Sequence, residues 1–228
     1  MILSIETATR VCSVALHRSG VLIGFQELLL EKSHSTHLAV MIEQLLSNCQ
    51  VEMGNLEAIA VSKGPGSYTG LRIGVATAKG ICYALGIPLI GVNTLIAMAH
   101  QLVDVPLGVD YLCPMIDARR MEVYCTIVNM DFEVESGTNA VVVNEGSFQE
   151  WLQQGKVLFF GNGAEKCQPI LQGSNSVFMT GHHPTASSMG PLAAAEFVKG
   201  AFEDLGYFEP FYLKEFRTAV PKDKTILN

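Results

Sequence analysis

The side chains best placed to do chemistry lie around one glycine-rich turn, Lys63-Gly64-Pro65-Gly66-Ser67-Tyr68-Thr69-Gly70-Leu71-Arg72-Ile73-Gly74. It follows a strand-like apolar run, Leu56 to Ser62, and opens a helix-like run ending near Leu85. Glycines and a proline in a strand-to-helix turn imply unusual backbone dihedrals and a close neighbour. A helix start also offers unpaired N–H groups to an anion. A phosphate-cradling P-loop needs G-x-x-x-x-G-K-[ST], but here Gly70 is followed by Leu71 and Arg72. The dinucleotide pattern G-x-G-x-x-G fails as well, on the interval from Gly66 to Gly70. Spacing alone leaves a tight structural turn as good a reading as a phosphate site.

His34 and His37 sit three apart near the start of a helix-like run, without the H-E-x-x-H spacing of a zinc helix. They read as two exposed histidines, and His182-His183-Pro184 as a surface loop. No G-x-S-x-G elbow or legible Ser/His/Asp order is present. The six cysteines are scattered without a C-x-x-C pair, mostly inside apolar runs, so neither a zinc site nor a disulfide framework is expected.

The elements that must position these groups are legible as runs. Ile2 to Ile5, Val11 to His17 and Val21 to Leu28 read as strands, with Ser19-Gly20 as a hairpin turn. Ser33 is placed to cap a helix with apolar residues at Leu38, Met41, Ile42, Leu45 and Leu46. The glycine-loop helix follows, then a strand Ile87 to Val92 and a short helix Asn93 to Leu102. A boundary is expected at Val103 to Gly108. Beyond it, strands are expected at Tyr111–Ile116, Glu122–Asn129, Glu133–Val143, Val157–Phe160 and Val177–Met179. Helices are expected at Phe148–Gln153, Ala164–Leu171 and Met189–Leu205, and the ending Lys222 to Asn228 as loose chain. Two successive β-β-β-then-α/β halves predict a duplicated α/β architecture with a mixed sheet in each lobe, residues 1–104 and 105–228. Part of the last helix is expected to pack back on the first lobe.

The helix after the glycine loop carries Gly70, Gly74, Ala76, Ala78, Gly80 and Ala84, and its strongly polar residues Arg72, Thr77 and Lys79 cover a narrow sector. A helix apolar almost all round is buried on two sides, one by its own sheet and the other by a neighbouring helix or another chain. Gly74 and Gly80 in its interior each cost up to about 1 kcal/mol relative to alanine, so both predict close packing.

At 228 residues, 49% hydrophobic and 16% charged, the chain can build a sizeable core. A formal charge of −7 argues against a dedicated nucleic-acid grip. The N-terminus lacks a basic region before its apolar run and does not read as a signal peptide. The longest apolar-looking region, Leu71 to Leu102, is interrupted by Arg72, Lys79, Pro88 and His100, so no membrane span and a cytoplasmic location are expected.

Five segments occur in an order that resembles the TsaB (YeaZ) family. They are Glu6-Thr7-Ala8-Thr9, Gly64 to Arg72, Asp117-Ala118-Arg119-Arg120-Met121-Glu122-Val123-Tyr124, Gly161-Asn162-Gly163-Ala164 and Pro210-Phe211-Tyr212-Leu213-Lys214. The resemblance implies an actin-like ATPase (ribonuclease H-like) fold. It also implies a non-catalytic subunit that supports a TsaD-type catalytic subunit in adding threonylcarbamoyl to adenosine 37 of tRNAs reading codons that begin with A. A TsaE-type ATPase belongs to the same assembly, a homodimer is possible when the chain is alone, and tRNA is engaged indirectly.

In that fold, phosphates are held by D-x-G turns, where glycine admits the anion. The matching turns here are Glu6-Thr7-Ala8 and Asp117-Ala118-Arg119, so Glu6, Thr7, Ala8, Gly64, Gly66, Asp117, Gly161 and Gly163 are expected to form a degenerate nucleotide site. The metal-binding histidines of TsaD proteins also have no counterpart in Asn93-Thr94-Leu95-Ile96-Ala97-Met98. No cofactor, metal or catalytic residue is therefore expected. The expected partner surface is helical, drawn from His37, Met41, Leu45, Leu71, Arg72, Val75, Ala76, Lys79 and Tyr83. An autonomous ATP-binding enzyme using Glu6 and Asp117 around magnesium is the alternative, and a metallopeptidase a more distant one.

Overall fold

Each half of the chain forms a five-stranded mixed sheet, and the two sheets share one strand order. The computed structural model describes residues 1–30 and 34–214. The first half contains β1 (Ile2–Glu6), β2 (Cys12–Arg18), β3 (Val21–Leu28), α1 (His34–Asn48), β4 (Ala58–Gly64), α2 (Tyr68–Leu85), β5 (Leu89–Asn93) and α3 (Thr94–Ala99). The second contains β6 (Tyr111–Asp117), β7 (Glu122–Asn129), β8 (Val134–Val142), α4 (Gln149–Gln154), β9 (Val157–Phe160), α5 (Ala164–Cys167), β10 (Ser176–Met179) and α6 (Gly190–Lys199).

The first sheet runs β3-β2-β1-β4-β5 and the second β8-β7-β6-β9-β10. In both, the first three strands pair antiparallel and the last two join in parallel. This repeated mixed sheet with flanking helices is the two-lobed α/β, actin-like architecture.

The alternation of side chains across the first sheet explains its packing. Leu3, Ile5, Val14, Leu16, Ile59 and Val61 face α1 and α2, meeting Leu38, Ile42, Leu46, Val75, Ala78 and Cys82. Ala15, Ala58 and Ala60 face the other way. These small residues let α6, from the far end of the chain, approach closely through Met189 and Ala193. His17 pins that contact. Its imidazole lies 3.2 Å from Ser4 Oγ and 3.2 Å from the Ser187 carbonyl, and Gly190 leaves room for the ring.

The exchange is reciprocal. α3 belongs to the first half by sequence, yet Leu95, Met98 and Ala99 pack with Leu112, Val128, Leu158 and Phe160 of the second sheet. The remaining face of that sheet buries Met115, Val123, Ile127 and Phe159 against Ala164, Cys167 and Leu171.

Two expected helices are shorter than their apolar periodicity suggests. The last stops at Lys199 because Gly200 adopts φ 68, a left-handed cap that closes it. α5 ends at Cys167 rather than Leu171. Asn93 caps α3, accepting from the N–H groups of Leu95 and Ile96, and the tail of that helix is a 3₁₀ turn over His100–Leu102. The expected Ser33 cap and the Lys222–Asn228 ending lie outside the described residues. Among the described residues no helix is long and apolar enough to cross a membrane.

Candidate functional site

The glycine loop is occupied by its own protein. β4 ends at Gly64 with φ 111, the Gly64–Pro65 peptide is cis, and Ser67 caps α2 by accepting from the Gly70 N–H at 3.3 Å. The Ser67 N–H donates to the Ala8 carbonyl at 2.6 Å. A Cβ on Gly66 would lie 2.7 Å from Ala8 Cβ, and one on Gly70 or Gly74 would collide with the Thr7 carbonyl or hydroxyl. The glycines therefore admit the Thr7–Ala8 backbone of the β1–β2 turn. An N–H that would face a phosphate in a nucleotide site faces a carbonyl instead. These residues do not fit the phosphates of a bound nucleotide.

Glu6 lies behind that turn, fully buried. Its Oε1 accepts from the Ala8 N–H at 2.5 Å and the Ser62 hydroxyl at 2.9 Å. Its Oε2 is buried and unpartnered among the described residues, as is Thr7 Oγ1. Burial raises the Glu6 carboxyl to about 7, against the lowering effect of its hydrogen bonds. Burial, and then the Glu6 charge, also push the Cys12 thiol up to about 11. This carboxyl is enclosed by the protein rather than open at the surface.

Asp117 ends β6 on the opposite lobe and is exposed. It ion-pairs with Lys166, whose Nζ also reaches the carbonyls of Arg120 (2.8 Å) and Glu122 (2.7 Å). Arg119 and Arg120 both take left-handed φ, 69° and 51°, which shapes the tight turn around that ammonium. Gly161 and Gly163 abut β6 as well. A Cβ on Gly161 would overlap the Met115 carbonyl, and one on Gly163 would lie 2.9 Å from the Ile116 carbonyl carbon. The Thr7–Ala8 turn is thus packed by the glycine loop, and the Asp117 turn is closed around Lys166, with Gly161 and Gly163 against the end of β6.

The helical surface is narrower than the sequence suggested. Met41, Leu45, Leu71 and Val75 are buried; Met41, Leu45 and Val75 lie in the core of the first lobe, and all four are withdrawn as surface contacts. His37, Arg72, Ala76 and Tyr83 are exposed, and Lys79 is half-buried. Tyr83 is 85% exposed. Arg72 is held by Tyr68, with its guanidinium 2.8 Å from the hydroxyl and 5.4 Å above the ring. Gly74 packs closely on Thr7, whereas no described residue of this chain lies within 4 Å of where a Gly80 Cβ would be. Together with Ala76 and Ala84, Gly80 forms an exposed strip of small residues along α2.

On α1, exposed Val40 and Gln44 join His37 beside a groove of about 380 Å³ that also meets Glu27 and Leu28 of β3. Val40 is not singled out by the sequence, and Gly80 and Ala84 are read there only as small residues of α2, because periodicity does not say which apolar sector of a helix meets its own sheet. The other histidines are structural. His34 is buried, with Nε2 3.1 Å from the Val11 carbonyl, not exposed as expected. His183 is half-buried and bonds Glu27 at 2.8 Å, and His182 packs edge-on against Phe160. Among the described residues no three His, Cys, Asp or Glu side chains gather as a metal set.

The family model described as TsaD, tRNA N6-adenosine threonylcarbamoyltransferase, matches residues 24–219. The tRNA threonylcarbamoyladenosine biosynthesis protein TsaB of Escherichia coli is 33% identical over 223 residues, covering 93% of this chain and 94% of that protein. The Bacillus subtilis protein of the same name is 33% identical over 75% of each chain. Among solved structures, YeaZ from Pseudomonas aeruginosa superposes with a TM-score of 0.82 at 24% identity, covering 93% of this chain and 99% of that one. This last likeness bears on the fold.

Proposed function

The chain belongs to the TsaB family, and from that premise we propose that it serves tRNA threonylcarbamoyladenosine biosynthesis as a non-catalytic subunit supporting a TsaD-type transferase. One observation carries the non-catalytic part of this reading. The loop that would cradle phosphate spends its N–H on Ala8 and its free space on Thr7 and Ala8. What the fold offers instead is a surface: the exposed strip of α2, with Arg72, Ala76, Gly80 and Tyr83, beside His37 and Val40 of α1. Small residues there let a partner helix approach closely, while the aromatic and the guanidinium supply anchors of the kind that dominate interfaces. The TsaD-type subunit is the proposed occupant, with a second copy of this chain taking the same face when the subunit is absent.

In this reading a TsaE-type ATPase joins the same cytoplasmic assembly. The net charge of −7 leaves most tRNA contact to other subunits. The test is a threonylcarbamoylation assay reconstituted from a TsaD-type subunit, a TsaE-type ATPase and the adenylate-forming synthase, with and without this chain. Modification is expected to collapse without it; undiminished modification would overturn the scaffold role.

A further inference from the structure

The last described segment, residues 200–214, leaves α6 and runs back over both lobes. The Glu203 N–H donates to the Leu89 carbonyl at 2.9 Å, on the free edge of β5, and the Glu203 carboxylate lies 3.7 Å from Lys63. Lys79 of α2 reaches the Phe208 carbonyl at 3.2 Å. The Phe211 N–H then donates to the Lys63 carbonyl at 2.6 Å, and its own carbonyl oxygen lies 2.7 Å from where a Gly64 Cβ would be. Tyr212 packs on Tyr68, the first residue of α2, with ring centroids 4.7 Å apart. Lys214 then crosses to the second lobe. Its ammonium ion-pairs with Glu122, lies 3.4 Å from the Ala118 carbonyl and sits 5.8 Å over the Tyr124 ring.

From Phe211 to Lys214 the chain therefore passes from the glycine loop to the Asp117–Glu122 turn. The glycine loop packs on Thr7–Ala8 of the first turn that the family resemblance matches to a phosphate holder, and Asp117-Ala118-Arg119 is the second, so the segment joins the surroundings of both. We propose that this segment replaces the nucleotide as the bridge between the lobes: an intrachain clasp that holds the cleft closed and fixes α2 relative to the second lobe.

Two-lobed proteins close around ligands by hinge motion. A tethered occupant is present at high effective concentration and closes the same hinge without any ligand. The charges agree with this. Asp117 and Glu122 are answered by Lys166 and Lys214, so both carboxylates of the second turn are paired within the same chain, beside Arg119 and Arg120. The clasp stands on intrachain contacts and does not depend on the identity of the partner.

Amide hydrogen exchange on the full chain tests it. Lys214→Met keeps the aliphatic stem and removes the charge. It is expected to speed exchange over residues 63–70 by roughly fivefold or more, although the bonds described for Lys214 all go to residues 118–124. Tyr212→Ala is expected to do the same over residues 117–124, and Lys214→Arg to leave residues 63–70 at the parent rate. Both altered residues are half-buried near the chain surface, and parent-like circular dichroism establishes that the variants fold. Exchange that rises only at each residue's own turn, or at neither, overturns the clasp.

Discussion

The Ser67 N–H and the Ala8 carbonyl meet at 2.6 Å, joining the start of α2 to the turn after β1. Around this bond, Gly66, Gly70 and Gly74 pack against Thr7 and Ala8. A helix N-terminus is an anion site only while its N–H groups are free. Here one of them is spent on the protein itself.

Gly66→Ala is accordingly expected to destabilise the fold by about 2 kcal/mol, the usual cost of overpacking a site whose neighbour is backbone. Chemical denaturation measures it. Gly80→Ala is the control: no described residue lies within 4 Å, and alanine raises helix propensity, so stability should rise by up to about 1 kcal/mol.

Calorimetry with ATP and magnesium on the isolated chain should show no saturable heat. Micromolar binding would mean that the Thr7–Ala8 turn and the glycine loop separate on contact with the ligand, and would restore the ATP-binding enzyme as a reading.

Charge placed on the two sectors of α2 should act differently. Ala76→Glu lies on the exposed strip and should leave the fold intact while weakening capture of a TsaD-type subunit at least about tenfold, or 1.4 kcal/mol. Val75→Glu puts a charge into the first-lobe core and should unfold the chain. Pull-down beside a thermal melt separates these effects, and full binding by Ala76→Glu would remove this strip from consideration.

Two buried groups set opposite pH dependences. Glu6 titrates near 7 in the fold rather than near 4.5, so its contribution is fully present below about pH 4.5 and is lost as pH rises through 7. The ionised carboxyl then costs the fold about 3 kcal/mol. Burial lowers the pKa of His17, so its contribution is present above pH 6.5 and is lost as pH falls through the lower folded value. Glu6→Gln should therefore raise the melting temperature at about pH 8, and its advantage should vanish by about pH 4.5. A melt series across that range checks the sign.

Most strands were legible because burial writes itself into short apolar runs: Val21–Leu28, Glu122–Asn129 and Val157–Phe160 form as read. The final helix reads too long in sequence because Ala201, Phe202 and Leu205 continue its apolar pattern beyond Gly200, where the backbone turns left-handed. At the loop, the glycine spacing announced a close neighbour without naming it, since that neighbour, Thr7–Ala8, comes from a distant part of the chain. Met41 and Val75 were misplaced because a helix flanked by two apolar sectors does not declare which one its own sheet takes. The pairing of Lys166 with Asp117 and of Lys214 with Glu122 left no trace in sequence, because ion pairs carry no periodicity.

The packing of α6 on the first sheet, and of α3 on the second, bears on how the protein can be handled and how it folds. Cut between residues 104 and 105, each fragment would lose the helix that lids its sheet and would keep a helix with nothing to cover. The fragments should be insoluble when expressed apart and recover structure only on co-expression. The uncut chain, in turn, should melt in one transition rather than lobe by lobe.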